Sequence, residues 1–149
     1  MSPRAFSADV IATRLAMMSE LLEDLDALGD VSQTRLVEDR FTRHVLERVL
    51  CRLVDIAVDI NTHAATSLGT GPGVRTVTEY RESFAAAATV GLIDADLAAS
   101  LAPSVGLRNV LVHEYLRVDL GVLADAAPLA RDGYGRYVSS VATWLRDRR

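Results

Sequence analysis

SQTRLVEDRFTRHVLERVLCRLVDIAVDINTHAATS, residues 32–67, decides the fold class. Apolar side chains recur at Leu36, Val37, Phe41, Val45, Leu46, Val49, Leu50, Leu53, Ile56, Ala57 and Ile60, the spacing of a buried helical stripe. Arg40, Arg43, Glu47, Arg48 and Arg52 fall on the opposite side. No proline or glycine interrupts the run, so one long helix is expected from Ser32 to Ser67. Ser32 is its N-cap, because a serine hydroxyl can accept from a free backbone N–H of the first turn.

The flanking sequence repeats this grammar. Val10, Ile11, Leu15, Met18, Leu21, Leu22 and Leu25 predict a first helix over about Ser7–Leu28, stopped by Gly29. The glycine-rich stretch Gly69–Gly73 reads as a loop. It lacks the Gly-Lys-Ser/Thr ending of a phosphate-binding loop. Thr76 and Glu79 form a capping box for a short helix over about Val77–Val90, ended by Gly91. Asp94 caps a fourth helix that Pro103 breaks or kinks, with a restart toward Val105 that carries Leu107 to Leu116. Asp119 caps a fifth segment, made irregular by Pro128, Gly133 and Gly135, which closes with Tyr137, Val141, Trp144 and Leu145. No alternating strand is present. The expectation is an all-α, up-down bundle of four or five helices, a single domain over residues 1–149.

Composition excludes several classes. The chain has 149 residues, half of them hydrophobic and 24% charged, which suits one globular core. No apolar run approaches the ~18 residues of a membrane span. The N-terminus has no signal-peptide pattern, and the lone Cys51 cannot form an internal disulfide. A cytoplasmic location is expected. All sixteen basic residues are arginine, against twenty acidic ones, for a net charge of −4. Residues 1–30 carry two Arg against six Asp and Glu; the remainder is balanced. Any nucleic-acid site must therefore be local.

One polar set stands inside an apolar run: Gly106-Leu107-Arg108-Asn109-Val110-Leu111-Val112-His113-Glu114-Tyr115. It resembles the Arg-x4–6-His motif of the HEPN superfamily, and more closely the Arg-x4-His-x-Tyr signature of its HepT-like toxin branch. Arg108, His113 and Tyr115 match that signature, and Asn109 matches the polar residue that often follows the arginine. Upstream, Tyr80-Arg81-Glu82-Ser83-Phe84 and Val90-Gly91-Leu92-Ile93 follow the family's order and spacing. The likeness covers roughly residues 40–145. Pro103, the Pro128/Gly133/Gly135 stretch and Asp59 depart from it.

The resemblance implies a HEPN-like homodimer that acts as the toxin of a toxin–antitoxin module. It implies a metal-independent endoribonuclease, without cofactor. It also implies an MntA-like nucleotidyltransferase antitoxin that transfers AMP onto the motif tyrosine, here Tyr115, and it matches Asp55 to an acidic family position.

The residue types suit that chemistry. RNA cleavage without metal needs a base for the 2′-OH proton, an acid for the leaving oxygen and a cation for charge building on phosphorus. Histidine suits the first two and arginine the third. His113 is the candidate acid/base, Arg108 the phosphate cation, and Asn109 the group that orients the imidazole. Tyr115 is a candidate substrate contact as well as the AMP acceptor. At about 100° per residue, Arg108 and His113 lie about 140° apart on a regular helix, Asn109 and His113 about 40°, and Arg108 and Tyr115 about 20°. Either the motif leaves helical geometry near His113, or a second subunit completes the site. Arg40, Arg43, Arg48 and Arg52 form a candidate RNA-binding face, or simply a solvated one. Asp55 tunes Arg108 or His113, or pairs with Arg52. His44 and His63 lack metal-ligand spacing, and Cys51 reads as packing. A rival reading is a non-catalytic helical partner of a nucleotidyltransferase, its substrate-binding or regulatory subunit.

Overall fold

The computed structural model describes residues 5–68 and 80–148. All regular structure among them is helical: α1 Ala8–Leu28, α2 Gln33–Glu38, α3 Arg40–Leu68, α4 Tyr80–Thr89, α5 Ala95–Leu101, α6 Pro103–His113 and α7 Leu120–Arg146, with a 3-10 turn over Tyr115–Arg117. The Gly69–Gly73 loop and the Thr76/Glu79 capping box lie outside the described residues.

Side-chain pairs fix how the long helices run. Ser7 N–H donates to His63 Nε2 at 3.0 Å, and Arg14 approaches Asp59 at 3.9 Å, so α1 runs antiparallel to α3. Arg131 meets Asp26 at 2.9 Å while Phe6 packs edge-on to Trp144, so α1 is antiparallel to α7 as well. Tyr137 OH donates to Asn61 Oδ1 at 2.6 Å and to Ala57 O at 3.2 Å, joining α7 to α3. Asn61 Nδ2 then donates to Ser83 Oγ at 3.2 Å and brings in α4. Each member of this buried network is satisfied. Removing one partner would strand the others, at a cost of about 1–3 kcal/mol.

The caps behave as their chemistry requires. Ser7, Ser32, Asp94 and Asp119 each accept from a first-turn N–H. Gly29 ends α1 at φ 66°, ψ −152°, a region in which a side chain would be strained. α1 buries Ile11, Leu15, Met18 and Leu25, as its spacing predicts.

Three expectations are corrected, and the break at Pro103 is present, two residues ahead of the expected restart. The helix expected over Ser32–Ser67 is two helices. Asp39 leaves helical geometry (φ −115°, ψ 93°), and its carboxylate accepts from Thr42 N–H at 3.2 Å and Thr42 Oγ1 at 2.7 Å, starting α3 afresh. The break also alters the buried stripe. Thr42 takes the inward position, and Phe41, about 140° round from Leu46, is 77% exposed, beside exposed Val37 and Val45. The fourth helix restarts at Pro103 itself, which occupies the first turn of α6 where a missing N–H costs nothing. α6 stops at His113, short of Leu116, because Glu114 turns out of helical geometry (φ −127°, ψ 38°). Lastly, α7 runs unbroken through Pro128, Gly133 and Gly135. Pro128 faces solvent, and the buried face of Leu123, Ala127, Ala130, Tyr134, Tyr137 and Val141 holds the helix against its weak local propensity. Gly133 has a packing role: a Cβ there would fall 2.9 Å from Leu101 Cδ2.

No helix among the described residues is long and apolar enough to cross a membrane.

Candidate active site

Arg108 lies on the inner side of α6, its side chain only 18% exposed. Its Nε donates to Asp55 Oδ1 of α3 at 3.0 Å. The guanidinium carbon lies 4.7 Å from the centroid of the Tyr80 ring of α4, a cation–π distance. Nη1 reaches Asn109 Oδ1 at 3.5 Å. Three elements thus clamp one guanidinium, and Nη2 makes no hydrogen bond among the described residues. Partial burial, reinforced by the Asp55 carboxylate, pushes the Tyr80 phenol above its ordinary range. The ring is therefore a neutral face under the cation.

Asp55 serves Arg108, and no ion pair with Arg52 forms among the described residues. The expected Asn109–His113 contact is also replaced: Asn109 turns its carbonyl to Arg108, and no described hydrogen bond joins it to His113. His113 is exposed at the last position of α6. Tyr115 begins the 3-10 turn and is 68% exposed. The helix is regular from Arg108 through His113, so the two side chains leave it about 140° apart. Within one chain the motif does not converge on one point.

The arginines of α3 divide. Arg48 is exposed about 20° round from Asp55, and Arg40 and Arg52, also exposed, each lie about 60° from it. Arg43 lies about 120° away, half-buried, and pairs with Glu47 at 3.8 Å. Arg48, Arg52 and Arg40 can lead toward Asp55; Arg43 does not belong with them.

Two side chains that residue-by-residue reading passed over join the site. Tyr80 is one. Arg81 is the other: a Cβ at Gly106 would lie 3.4 Å from Arg81 Nη2, so this guanidinium rests over the α6 backbone. Gly106 and His113 are seven positions apart, on nearly the same face of the helix. Arg81 therefore adds a cation over the first half of α6, about 10 Å along the helix axis from the level of His113. The quoted block Tyr80–Phe84 held both residues, but nothing local says that they meet α6.

Among the described residues no three His, Cys, Asp or Glu side chains gather as metal ligands. Cys51 is half-buried, and burial together with Asp55 pushes its thiol up, which fits packing.

The family model described as HepT-like ribonuclease matches residues 18–128. The chain belongs to the HepT-like ribonuclease family. Among the relatives of this HepT-like chain is the tRNA nuclease HepT of Aphanizomenon flos-aquae, 30% identical over 91% of this chain and 90% of that one. The fold matches a tri-AMPylated Shewanella oneidensis HEPN toxin, solved in complex with an MNT antitoxin. That match has a TM-score of 0.78 and 20% identity, over 91% of this chain and 98% of that one. It also matches YutE, a cytosolic protein of unknown function from Bacillus subtilis, with a TM-score of 0.80 and 14% identity over 97% and 95% of the two chains. These likenesses establish the HEPN-like helical fold of the HepT-like chain.

Proposed function

We propose that this chain is the toxin of a toxin–antitoxin module, a metal-independent endoribonuclease neutralised by AMP transfer onto Tyr115. The observation that carries the reading is the clamped Arg108 on the short helix that ends in exposed His113, with exposed Tyr115 on the 3-10 turn that follows. A guanidinium held by Asp55, Tyr80 and Asn109 is pre-oriented, so little freedom is lost when it meets a phosphate.

In the proposed reaction an imidazole takes the 2′-OH proton. The O2′ attacks phosphorus, the bond from phosphorus to the 5′ oxygen breaks, and a second imidazole returns a proton to that oxygen. The products are a 2′,3′-cyclic phosphate and a 5′-hydroxyl. Arg108 bears the charge on the phosphoryl oxygens, with Arg81 as a further cation over the first half of α6. Because Arg108 and His113 diverge on one helix, the working site takes His113 from a second copy. A symmetric pair supplies both imidazoles. Arg40, Arg48 and Arg52 track the RNA backbone beyond Arg108.

Tyr115 is open to a modifying enzyme. Its oxygen would attack the α-phosphorus of a nucleoside triphosphate with loss of pyrophosphate and of the phenolic proton. The phosphodiester formed adds a negative charge within two residues of His113, which repels RNA. A nucleotidyltransferase antitoxin is the proposed partner.

The divergence of Arg108 and His113 also favours a second reading, a non-catalytic partner whose motif is only an AMP-acceptor surface. One experiment separates the two. The chain, expressed alone and shown by intact mass to carry free Tyr115, is incubated with RNA in EDTA beside His113→Ala, transfer RNA first because a relative is a tRNA nuclease. Cleavage that falls at least a hundredfold in His113→Ala supports the enzyme. No cleavage of any RNA class by the unmodified protein would leave the non-catalytic partner.

A further inference from the structure

A cavity of about 280 Å³ opens beside Arg108, on the side of α6 turned away from His113. Its walls are apolar: Leu50 and Val54 of α3, Leu107 of α6, and Ala126 and Ala130 of α7. Tyr134 closes the floor. Its hydroxyl is spent on Ser104 Oγ at 2.6 Å, so the floor offers no free polar group. Two ionised side chains line it, Arg108 and the exposed Asp125. Val122 and Leu129, 53% and 72% exposed, extend the apolar wall to solvent. An apolar slot with a few placed polar groups at its edge is the usual make-up of a small-ligand site, and this volume lies near the lower end for such sites.

We propose that this cavity receives the nucleobase attached to the phosphate that Arg108 holds. The inference rests on the assignment of Arg108 as the phosphate cation. Its occupant is set by charge and shape. The guanidinium, with Nη2 uncommitted, supplies an anion partner at one edge, and the apolar walls supply a slot for a flat ring. Asp125 supplies an acceptor and no donor. It suits bases that present an amino group (adenine, guanine or cytosine) over uracil, whose one ring donor, N3–H, lies between two carbonyls that would face the carboxylate unpaired. A second copy's apolar side chain would use the walls but leave both charges without a role. The cavity thus makes base identity at the cleaved position part of recognition.

The test is calorimetric titration of the whole chain with AMP, GMP, CMP, UMP and ribose 5-phosphate, with RNA cleavage measured on the same preparations. AMP is expected to bind at least tenfold more tightly than ribose 5-phosphate, with UMP the weakest nucleotide. Ala126→Phe fills the slot and is expected to lower AMP affinity at least tenfold. Asp125→Asn, at an exposed position, keeps the fold and brings in an amide donor, and is expected to abolish the discrimination against UMP. Equal binding of ribose 5-phosphate and the four nucleotides overturns the inference, as does unchanged discrimination in Asp125→Asn. Dissociation of an oligomer by Ala126→Phe, with nucleotide binding intact, also overturns it and gives the slot to a second copy. RNA cleavage without nucleotide selectivity removes the base site and leaves the ribonuclease. Selective nucleotide binding without cleavage keeps the base site and removes the ribonuclease.

Discussion

The guanidinium of Arg108 lies over the Tyr80 ring, 4.7 Å from its centroid, while Asp55 holds its Nε at 3.0 Å. A face and a carboxylate from two other helices thereby fix the direction of the one cation that the motif supplies. In the proposed reaction Tyr80 is a positioning residue, acting through Arg108.

Substitutions on either side of Arg108 separate ring from charge. Tyr80→Phe keeps the face and is expected to cleave RNA within about twofold of wild type. Tyr80→Leu loses a cation–π contact of about 0.5–1 kcal/mol, or about two- to fivefold in kcat. Asp55→Asn is expected to lower kcat at least tenfold while costing about 1 kcal/mol of stability, since the pair is partly solvated. Single-turnover cleavage beside thermal melts reads both. A fall in melting temperature that tracks the whole activity loss would reduce Asp55 to a structural role.

Asp39 starts α3 with a carboxylate that accepts from the Thr42 hydroxyl and from the Thr42 and Phe41 backbone, and these bonds hold its pKa below the ordinary 3.8. The stability they contribute is fully present above pH 4 and is lost as pH falls through the depressed value. Asp39→Ala is expected to lower the melting temperature at pH 7, and the gap to wild type is expected to narrow as pH falls below 3.8. A constant gap across that range, in calorimetric scans, would mean that the carboxylate's charge is not what caps the helix.

At the alkaline end, burial holds the phenols of Tyr134 and Tyr137 above their ordinary 10.0. In the unfolded chain both lose protons near pH 10, so there the unfolded state binds fewer protons than the folded one. Stability from these two groups is therefore flat below about pH 9 and falls above pH 10, by about 1.4 kcal/mol per pH unit for each. Tyr137→Phe is expected to halve that slope in urea titrations, while losing about 1–3 kcal/mol at pH 7 because Asn61 Oδ1 is stranded.

Two glycines of α7, two residues apart, are expected to respond with opposite sign. Gly135 has open space where a Cβ would go, so Gly135→Ala gains helix propensity and is expected to stabilise by about 0.5–1 kcal/mol. At Gly133 the Cβ meets Leu101 Cδ2 at 2.9 Å, and Leu101 is buried. Gly133→Ala is expected to be net destabilising, because the buried Leu101 must leave its packed position, toward the cavity that it also lines, before the methyl fits. Urea midpoints of the two variants decide it, and a stabilised Gly133→Ala would show that Leu101 repacks.

The sequence by itself determined what depends on neighbours along the chain. Helical periodicity, the caps at Ser32, Asp94 and Asp119, and the stop at Gly29 are local, and each is present in the fold. The motif Arg108-x4-His113-x-Tyr115 is equally local, and with it the family. Only the tertiary structure decided how those residues are used. Thr42, rather than Phe41, turns inward because Asp39 restarts the helix through its own side chain, a choice that periodicity does not encode. α7 passes through Pro128 and two glycines because burial of one face outweighs local propensity. Arg108 reaches Asp55, 53 residues away, because the packing of α6 against α3 sets that distance. The cavity beside Arg108 belongs to no segment: it is the space that four helices fail to fill.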